Sequence, residues 1–284
     1  MSKTNQPGGT PVFAGLLLDR PHIMGVVNVT PDSFSDGGDF IETERAIAHG
    51  RALLAQGADI LDVGGESTRP GAAPVSLDEE IARVVPVIKA LVAPGVLVSV
   101  DTRHAPVMEA AVEAGAAIIN DVSALTGDPA ALSMAAKLGT PVILMHMQGE
   151  PGTMQENPVY ADAPGDVRTY LAARIEACLQ AGIKADKIAI DPGIGFGKTD
   201  VHNAQILTRL AEMASLGCPV VLGVSRKSMI GRIAGESDPK KRLPGSLAAA
   251  LYGVMAGAHI VRVHDVVETA QALAVWRAIE AANG

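Results

Sequence analysis

Eight short apolar runs alternate with eight helix-like stretches along this chain, and that alternation restricts the fold to repeated parallel βα units. The apolar runs fall at 22–27, 58–63, 96–100, 117–120, 141–145, 187–191, 219–224 and 259–263. The helical patterns fall near 42–56, 76–92, 104–114, 128–138, 163–181, 200–215, 245–256 and 266–281. Five helix-to-strand joints share one form: Gly57-Ala-Asp-Ile, Gly115-Ala-Ala-Ile, Gly139-Thr-Pro-Val, Gly217-Cys-Pro-Val and Gly257-Ala-His-Ile. Glycine just past a helix takes the left-handed conformation that closes the last turn. The unequal spacing of these joints excludes a solenoid. No linker or shift in composition breaks the stretch 21–284, and 284 residues suit one (β/α)8 barrel of about 250. Residues 1–20 read as an N-terminal extension: 1–11 polar and disordered, 12–20 a short hairpin or a plug under the barrel.

Charge and cysteine usage narrow the function. A net charge of −8 argues against nucleic acid or an anionic membrane as partner. The seven-residue apolar run 12–18 is too short for a signal h-region and membrane anchor together and is followed at once by Asp19 and Arg20. The weakly polar run 247–261 is short of a span and contains His259. Cys178 and Cys218 are the only cysteines and have no metal or redox spacing, which suits a reducing cytoplasm.

The informative residues stand where the apolar runs end. In chain order they are Asn28; Asp62 leading into Gly64-Gly-Glu-Ser-Thr-Arg-Pro-Gly; Asp101-Thr-Arg; Asn120-Asp; His146; Asp191-Pro-Gly-Ile-Gly-Phe-Gly-Lys; Ser225-Arg-Lys-Ser; and Arg262-Val-His. Helix caps account for some Asp, Asn, Ser and Thr at such places, but not for cations. In a βα barrel this face carries the active site.

Charge divides the candidates. Arg262 and His264 are two apart, so they share one face of a strand and, with Arg69, suit a strongly anionic group. Asn28 offers a neutral oxygen of the kind magnesium accepts beside phosphates. Asp101, Asn120 and Asp191 form an acceptor-rich set that suits a heterocycle with an amino group beside a ring N–H, and Lys227 can donate into such a ring. The run 193–199 lacks Walker spacing and is not G-x-G-x-x-G, so it reads as a backbone pad with Phe196 as a wall. His146 reads as a core histidine. The loop 28–38 carries Asp32, Asp36 and Phe34, an aromatic placed among Ser, Asp and Gly.

At these residues the chain resembles the dihydropteroate synthases. The matching segments are Asn28-Val-Thr-Pro-Asp-Ser-Phe-Ser-Asp-Gly-Gly, Asp62-Val-Gly-Gly-Glu-Ser-Thr-Arg-Pro-Gly, Ser99-Val-Asp-Thr-Arg, Ile119-Asn-Asp-Val, Met145-His-Met-Gln, Asp191-Pro-Gly-Ile-Gly-Phe-Gly-Lys, Ser225-Arg-Lys-Ser and Arg262-Val-His. The resemblance implies a TIM barrel that joins p-aminobenzoate to 6-hydroxymethyl-7,8-dihydropterin pyrophosphate, giving 7,8-dihydropteroate and pyrophosphate. It implies Mg2+ at Asn28; the pterin at Asp101, Asn120, Asp191 and Lys227; and pyrophosphate at Arg262 and His264, with Thr68 and Arg69. It places p-aminobenzoate, and sulfonamides, at Phe34, Pro70, Lys227 and Ser228, beside Asp36. Lys227, Asp36 and Arg69 would carry the reaction, cation first and amine second, in a cytoplasmic homodimer. Two related readings stand beside it, a pterin-binding methyltransferase domain and a non-catalytic pterin-binding paralogue.

Overall fold

The computed structural model describes residues 10–29, 39–67, 75–150 and 152–282. Phe34, Asp36, Thr68, Arg69 and Pro70 lie outside these residues. Eight parallel strands form the wall: β1 (His22–Asn28), β2 (Ile60–Gly64), β3 (Leu97–Asp101), β4 (Ile118–Asp121), β5 (Val142–Met145), β6 (Ile188–Asp191), β7 (Val221–Leu222) and β8 (Ile260–Val263). Each pairs with its sequence neighbour except β6 with β7, and β8 also pairs with β1. The ring closes between β6 and β7 through a parallel bridge, Ile190 with Val220. The fold is therefore the expected (β/α)8 barrel.

Helices α1 (Asp39–Ala55), α2 (Leu77–Leu91), α3 (Ala105–Glu113), α4 (Ala131–Leu138), α5 (Ala163–Gln180), α6 (Asp200–Thr208), α7 (Ala211–Ala214), α8 (Ser228–Ala234), α9 (Leu243–Met255) and α10 (Val266–Ala282) surround it. The five glycine joints all have positive φ, from 62° at Gly139 to 109° at Gly115 and Gly257. Two expectations need correction. The helix expected over 200–215 breaks after Thr208, where Leu207, Leu210 and Met213 are all buried at a spacing of three. That spacing is met by i→i−3 bonds, Leu210 N–H to Leu207 O and Met213 N–H to Leu210 O, which tighten the chain out of the α-helical ladder. The sequence reading also missed α8, a short helix that buries Met229 and Ile230 and ends at Gly235, φ 70°.

The wall separates two apolar cores. The outer one packs helices on strands. The inner one, under the barrel floor, holds Phe13, Leu18, Met24, Ile60, Ile118, Ile143, Ala189, Val221 and Ile260. Phe13 comes from a hairpin, Val12–Phe13 against Leu16–Leu17. It is fully buried, so the hairpin plugs the barrel from below.

Candidate active site

Side chains alternate along a strand, so the inner core sets the parity of every position. Ile60 points in, hence Asp62 and Gly64 do too. Leu97 leads to Ser99 and Asp101, Ile118 to Asn120, Ile143 to Met145, Ala189 to Asp191, Val221 to Gly223 and Ile260 to Arg262. The floor is apolar and the next layers up are polar. Strand register aligns the polar row, with Asn28 opposite Gly64, Gly64 opposite Asp101, and Asp101 opposite Asn120. The mouth of the barrel is a recess lined by Asp101, Asn120, Val122, Met145, Asp191, Gly193, Ile194, Phe196, Gly223, Lys227 and Arg262. Six of the predicted residues meet there: Asp101, Asn120, Asp191, Phe196, Lys227 and Arg262.

The recess is dense in charge. Arg262 Nε donates to Asp62 Oδ2 at 2.6 Å, and its Nη2 donates to Asp101 Oδ2 at 2.7 Å. Asn120 Nδ2 donates to the same Asp62 oxygen at 3.0 Å. A carboxylate can only accept, so this bond orients the Asn120 amide and leaves its carbonyl oxygen as the end for a ligand. Asp191 Oδ1 accepts from Gly193 N–H at 2.7 Å, while Oδ2 faces Gly223, where a side chain would begin only 3.7 Å away. Burial raises the Asp191 carboxyl, opposed by Gly193 N–H and the Lys227 charge. Burial raises Asp101 to about 7, against the pull of Arg262. Burial lowers Lys227 to about 8, against Asp191, which supports its charge.

Arg262 is not set apart from the acceptor residues as expected. Its guanidinium bridges Asp62 and Asp101 inside the same recess. Asp62 was singled out only as the start of a loop motif. It is fully buried on β2 and is the anchor for both Arg262 and Asn120. A carboxylate between Leu61 and Val63, at inward parity, is the signal that would have found it.

Lys227 and Ser228 were expected at the end of a strand over 219–224. The ladder of β7 stops at Leu222, and Pro219 has no N–H to extend it backwards. A turn carries the chain to Lys227, which precedes α8. Arg226 in that turn has φ 57°, a conformation rarely held by a residue with a side chain. It is held there by an ion pair with Asp265 and by its own N–H to Ser246 Oγ at 2.9 Å. Lys227 Nζ thereby lies 4.1 Å from the centre of the Phe196 ring. Ser228 is exposed at the start of α8. His264 follows the last residue of β8, with Nδ1 3.0 Å from Ser225 Oγ. Asn28 is exposed at the top of β1. Not every polar strand end serves the recess. Asp121 turns away from Asn120 and accepts from Ser123 N–H and Oγ, both at 2.6 Å, and from Leu125 N–H at 3.0 Å.

Known proteins match this arrangement. Residues 24–264 match the family described as pterin binding enzyme. The dihydropteroate synthase of Escherichia coli (strain K12) is 50% identical over 262 residues, 92% of this chain and 92% of that protein. A structure of the Xanthomonas albilineans dihydropteroate synthase with 4-aminobenzoic acid superposes with a TM-score of 0.88 at 50% identity, covering 94% of this chain and 97% of that one. A second structure of that enzyme, in complex with 7,8-dihydropteroate, gives 0.85 at 48% identity, covering 94% and 96%. With the barrel and half of all residues shared along nearly its whole length, this chain belongs to the pterin-binding enzymes and, among them, to the dihydropteroate synthases.

Proposed function

We propose that the recess binds the pterin ring of 6-hydroxymethyl-7,8-dihydropterin pyrophosphate and that p-aminobenzoate attacks its methylene carbon at the mouth. The observation that carries this is the convergence on one recess of Asp101, Asn120, Asp191 and Arg262, at one strand parity, with Lys227 from the turn before α8. Asp191 and the Asn120 carbonyl accept from the amino and ring N–H edge, and Lys227 donates to a ring acceptor. Phe196 supplies an apolar wall. Arg262 and His264 face the pyrophosphate, with Thr68 and Arg69 assigned to the same anion. Phe34, Pro70 and Ser228 are assigned to p-aminobenzoate, with Asp36 beside them.

The C–O bond to pyrophosphate breaks first. The electron-rich ring delocalises the positive charge, the aniline nitrogen then forms the C–N bond, and it gives up a proton. The protein contributes positioning and stabilisation of the leaving anion, with no covalent intermediate. Asn28 fits a magnesium ion: it is exposed at the rim and offers one neutral oxygen, leaving the other ligand positions to water and phosphate oxygens. When bound, the metal supplies charge neutralisation for pyrophosphate.

Condensation of the two substrates by the purified protein, followed by pyrophosphate release, tests this reading, and absence of product overturns it. The same assay should show a bell-shaped pH profile. As pH rises through about 7 the Asp101 carboxyl loses its proton and regains its acceptor role. Above about 8 the Lys227 ammonium loses its charge. kcat/KM for the pterin substrate therefore rises through the first value and falls through the second. Lys227→Met should remove the alkaline limb from what activity remains. A profile flat from pH 6 to 9 would separate both groups from catalysis.

We also propose a homodimer through α9 and α10, in a reducing cytoplasm, with residues 1–20 as an extension to the 21–284 barrel. Val275 and Ile279 are each 57% exposed and Met255 is 69% exposed, and with Leu247, Leu251 and Trp276 they make a continuous apolar face. Among the described residues no helix is long and apolar enough to cross a membrane, so a second copy is the better cover for this face. Ile279→Glu should convert the protein to a monomer in sedimentation, and an unchanged mass would place the interface elsewhere.

A further inference from the structure

A buried lysine beneath the glycine-rich run has no place in the reaction described so far. Lys198 is 1% exposed, and its Nζ has no carboxylate partner among the described residues. It lies 2.9 Å from His146 Nδ1, 2.9 Å from Gly193 O and 2.9 Å from Phe196 O, with His146 O at 3.3 Å. Burial pushes the Lys198 amine well below its ordinary range, opposed by the Asp191 charge, and in either protonation state it has N–H donors for the Gly193 and Phe196 carbonyls. The His146 ring stays neutral because burial, and next the Lys198 charge, push it down to about 3. Tyr170 meets the ring edge-on, with centroids 4.9 Å apart.

The run above Lys198 is bonded from below at nearly every peptide. Gly193 N–H goes to Asp191, Gly195 N–H goes to Asn203 Oδ1 at 2.8 Å, and Tyr160 OH donates to Gly197 O at 2.8 Å. The packing leaves no slack. A Cβ on Gly193 would stand 1.9 Å from His146 O, and one on Gly197 2.3 Å from Gln148 O. Phe196 rides on this platform, and Lys227 rests over its ring.

We infer that Lys198 is a positioning residue for the condensation: a buried amine whose hydrogen bonds pin the 193–196 turn to the end of β5, and so set the Phe196 ring and, through it, Lys227. This rests on the reading that Phe196 and Lys227 face the substrates. Without Lys198 Nζ, Phe196 O loses its buried donor and Gly193 O keeps only the Phe196 N–H at 3.1 Å, so the turn rotates to satisfy Phe196 O. The ring and Lys227 then move together.

The test incorporates 4-fluorophenylalanine and follows fluorine NMR and kinetics in parallel. The chain has four phenylalanines; Phe196→Leu assigns the Phe196 signal, and Phe13 at the barrel floor reports folding. In Lys198→Met the Phe13 signal should stay while the Phe196 signal shifts, and kcat/KM should fall roughly ten- to a hundredfold. A Phe196 signal that stays in place overturns the inference, whatever the kinetics do. So does a shifted signal with unchanged kcat/KM. If Lys198→Met does not fold, His146→Leu removes one acceptor and leaves Lys198 in place; the same two readouts then decide, with smaller shifts. Failure of the functional reading is distinguishable, because it appears as a wild-type protein that makes no product while the fluorine signals still report the pin.

Discussion

Asp191→Asn should abolish measurable pterin binding while leaving the protein as stable as before or more so. The loss follows from hydrogen-bond polarity. Asp191 Oδ1 already accepts from Gly193 N–H at 2.7 Å, and Oδ2 faces the recess. An asparagine keeps the shape but has one acceptor. If its oxygen stays on Gly193 N–H, its NH2 faces the donors of the ligand. If it flips, the NH2 faces Gly193 N–H and the glycine-rich run loses an anchor. Either choice costs several kcal/mol, on the scale of a buried charged pair truncated on one side, about 2–5 kcal/mol. The stability side has the opposite sign. Burial raises the folded-state pKa of Asp191, so the folded protein penalises the ionised form. That penalty is in full force above the raised pKa and absent below the ordinary carboxylate range. A neutral amide escapes it at pH 8, and the difference should vanish in acid. Calorimetry with the pterin substrate and denaturant melts at two pH values measure both parts. Tight pterin binding by the variant would remove Asp191 from the site.

How much of this was readable beforehand depends on the period of each signal. The strands were legible because each apolar run is short and bounded by polar residues or glycine, and the barrel followed from their alternation with helices. Asp101, Asn120 and Asp191 were legible because each ends such a run, and the structure places all three in one recess. Asp62 was not, because it sits inside a run where a carboxylate looks like the start of the next loop. Its role depends on Arg262, 200 positions later, and only closure of the barrel brings the two together. Lys198 was hidden for the opposite reason. It resembled the lysine of a phosphate loop and was set aside when the spacing failed, yet its partners are backbone carbonyls that no side-chain pattern reveals. The break between α6 and α7 was missed because a three-residue apolar spacing repeated only twice is indistinguishable from a continuing 3.6-residue helix.

Arg262→Ala should weaken binding of the pyrophosphate substrate and also of a pterin without phosphates, and it should destabilise the protein. A guanidinium that only read phosphates would give selective loss. The structure changes that expectation, because Arg262 is the counter-charge of Asp62, which is fully buried, and of Asp101. Removing one partner of a buried pair leaves the other charge uncompensated, at a cost of about 3–5 kcal/mol. Asp101 would respond by holding its proton to higher pH, since Arg262 is the charge that opposes its desolvation. A protonated Asp101 no longer accepts from the pterin at pH 7. Asn120 would suffer as well, since its amide is oriented by the same Asp62 oxygen that Arg262 holds. The double variant Arg262→Ala with Asp62→Asn separates these effects. It deletes the orphaned carboxylate, so most of the lost stability should return and part of the affinity for the bare pterin with it. The contribution from pyrophosphate should not return, because nothing replaces the guanidinium facing the anion. Calorimetry with the two ligands, alongside denaturant melts of the single and double variants, gives all four quantities. If the single variant melts with the wild type and loses only the pyrophosphate substrate, Arg262 is free to serve the anion alone and the Asp62 contact is incidental.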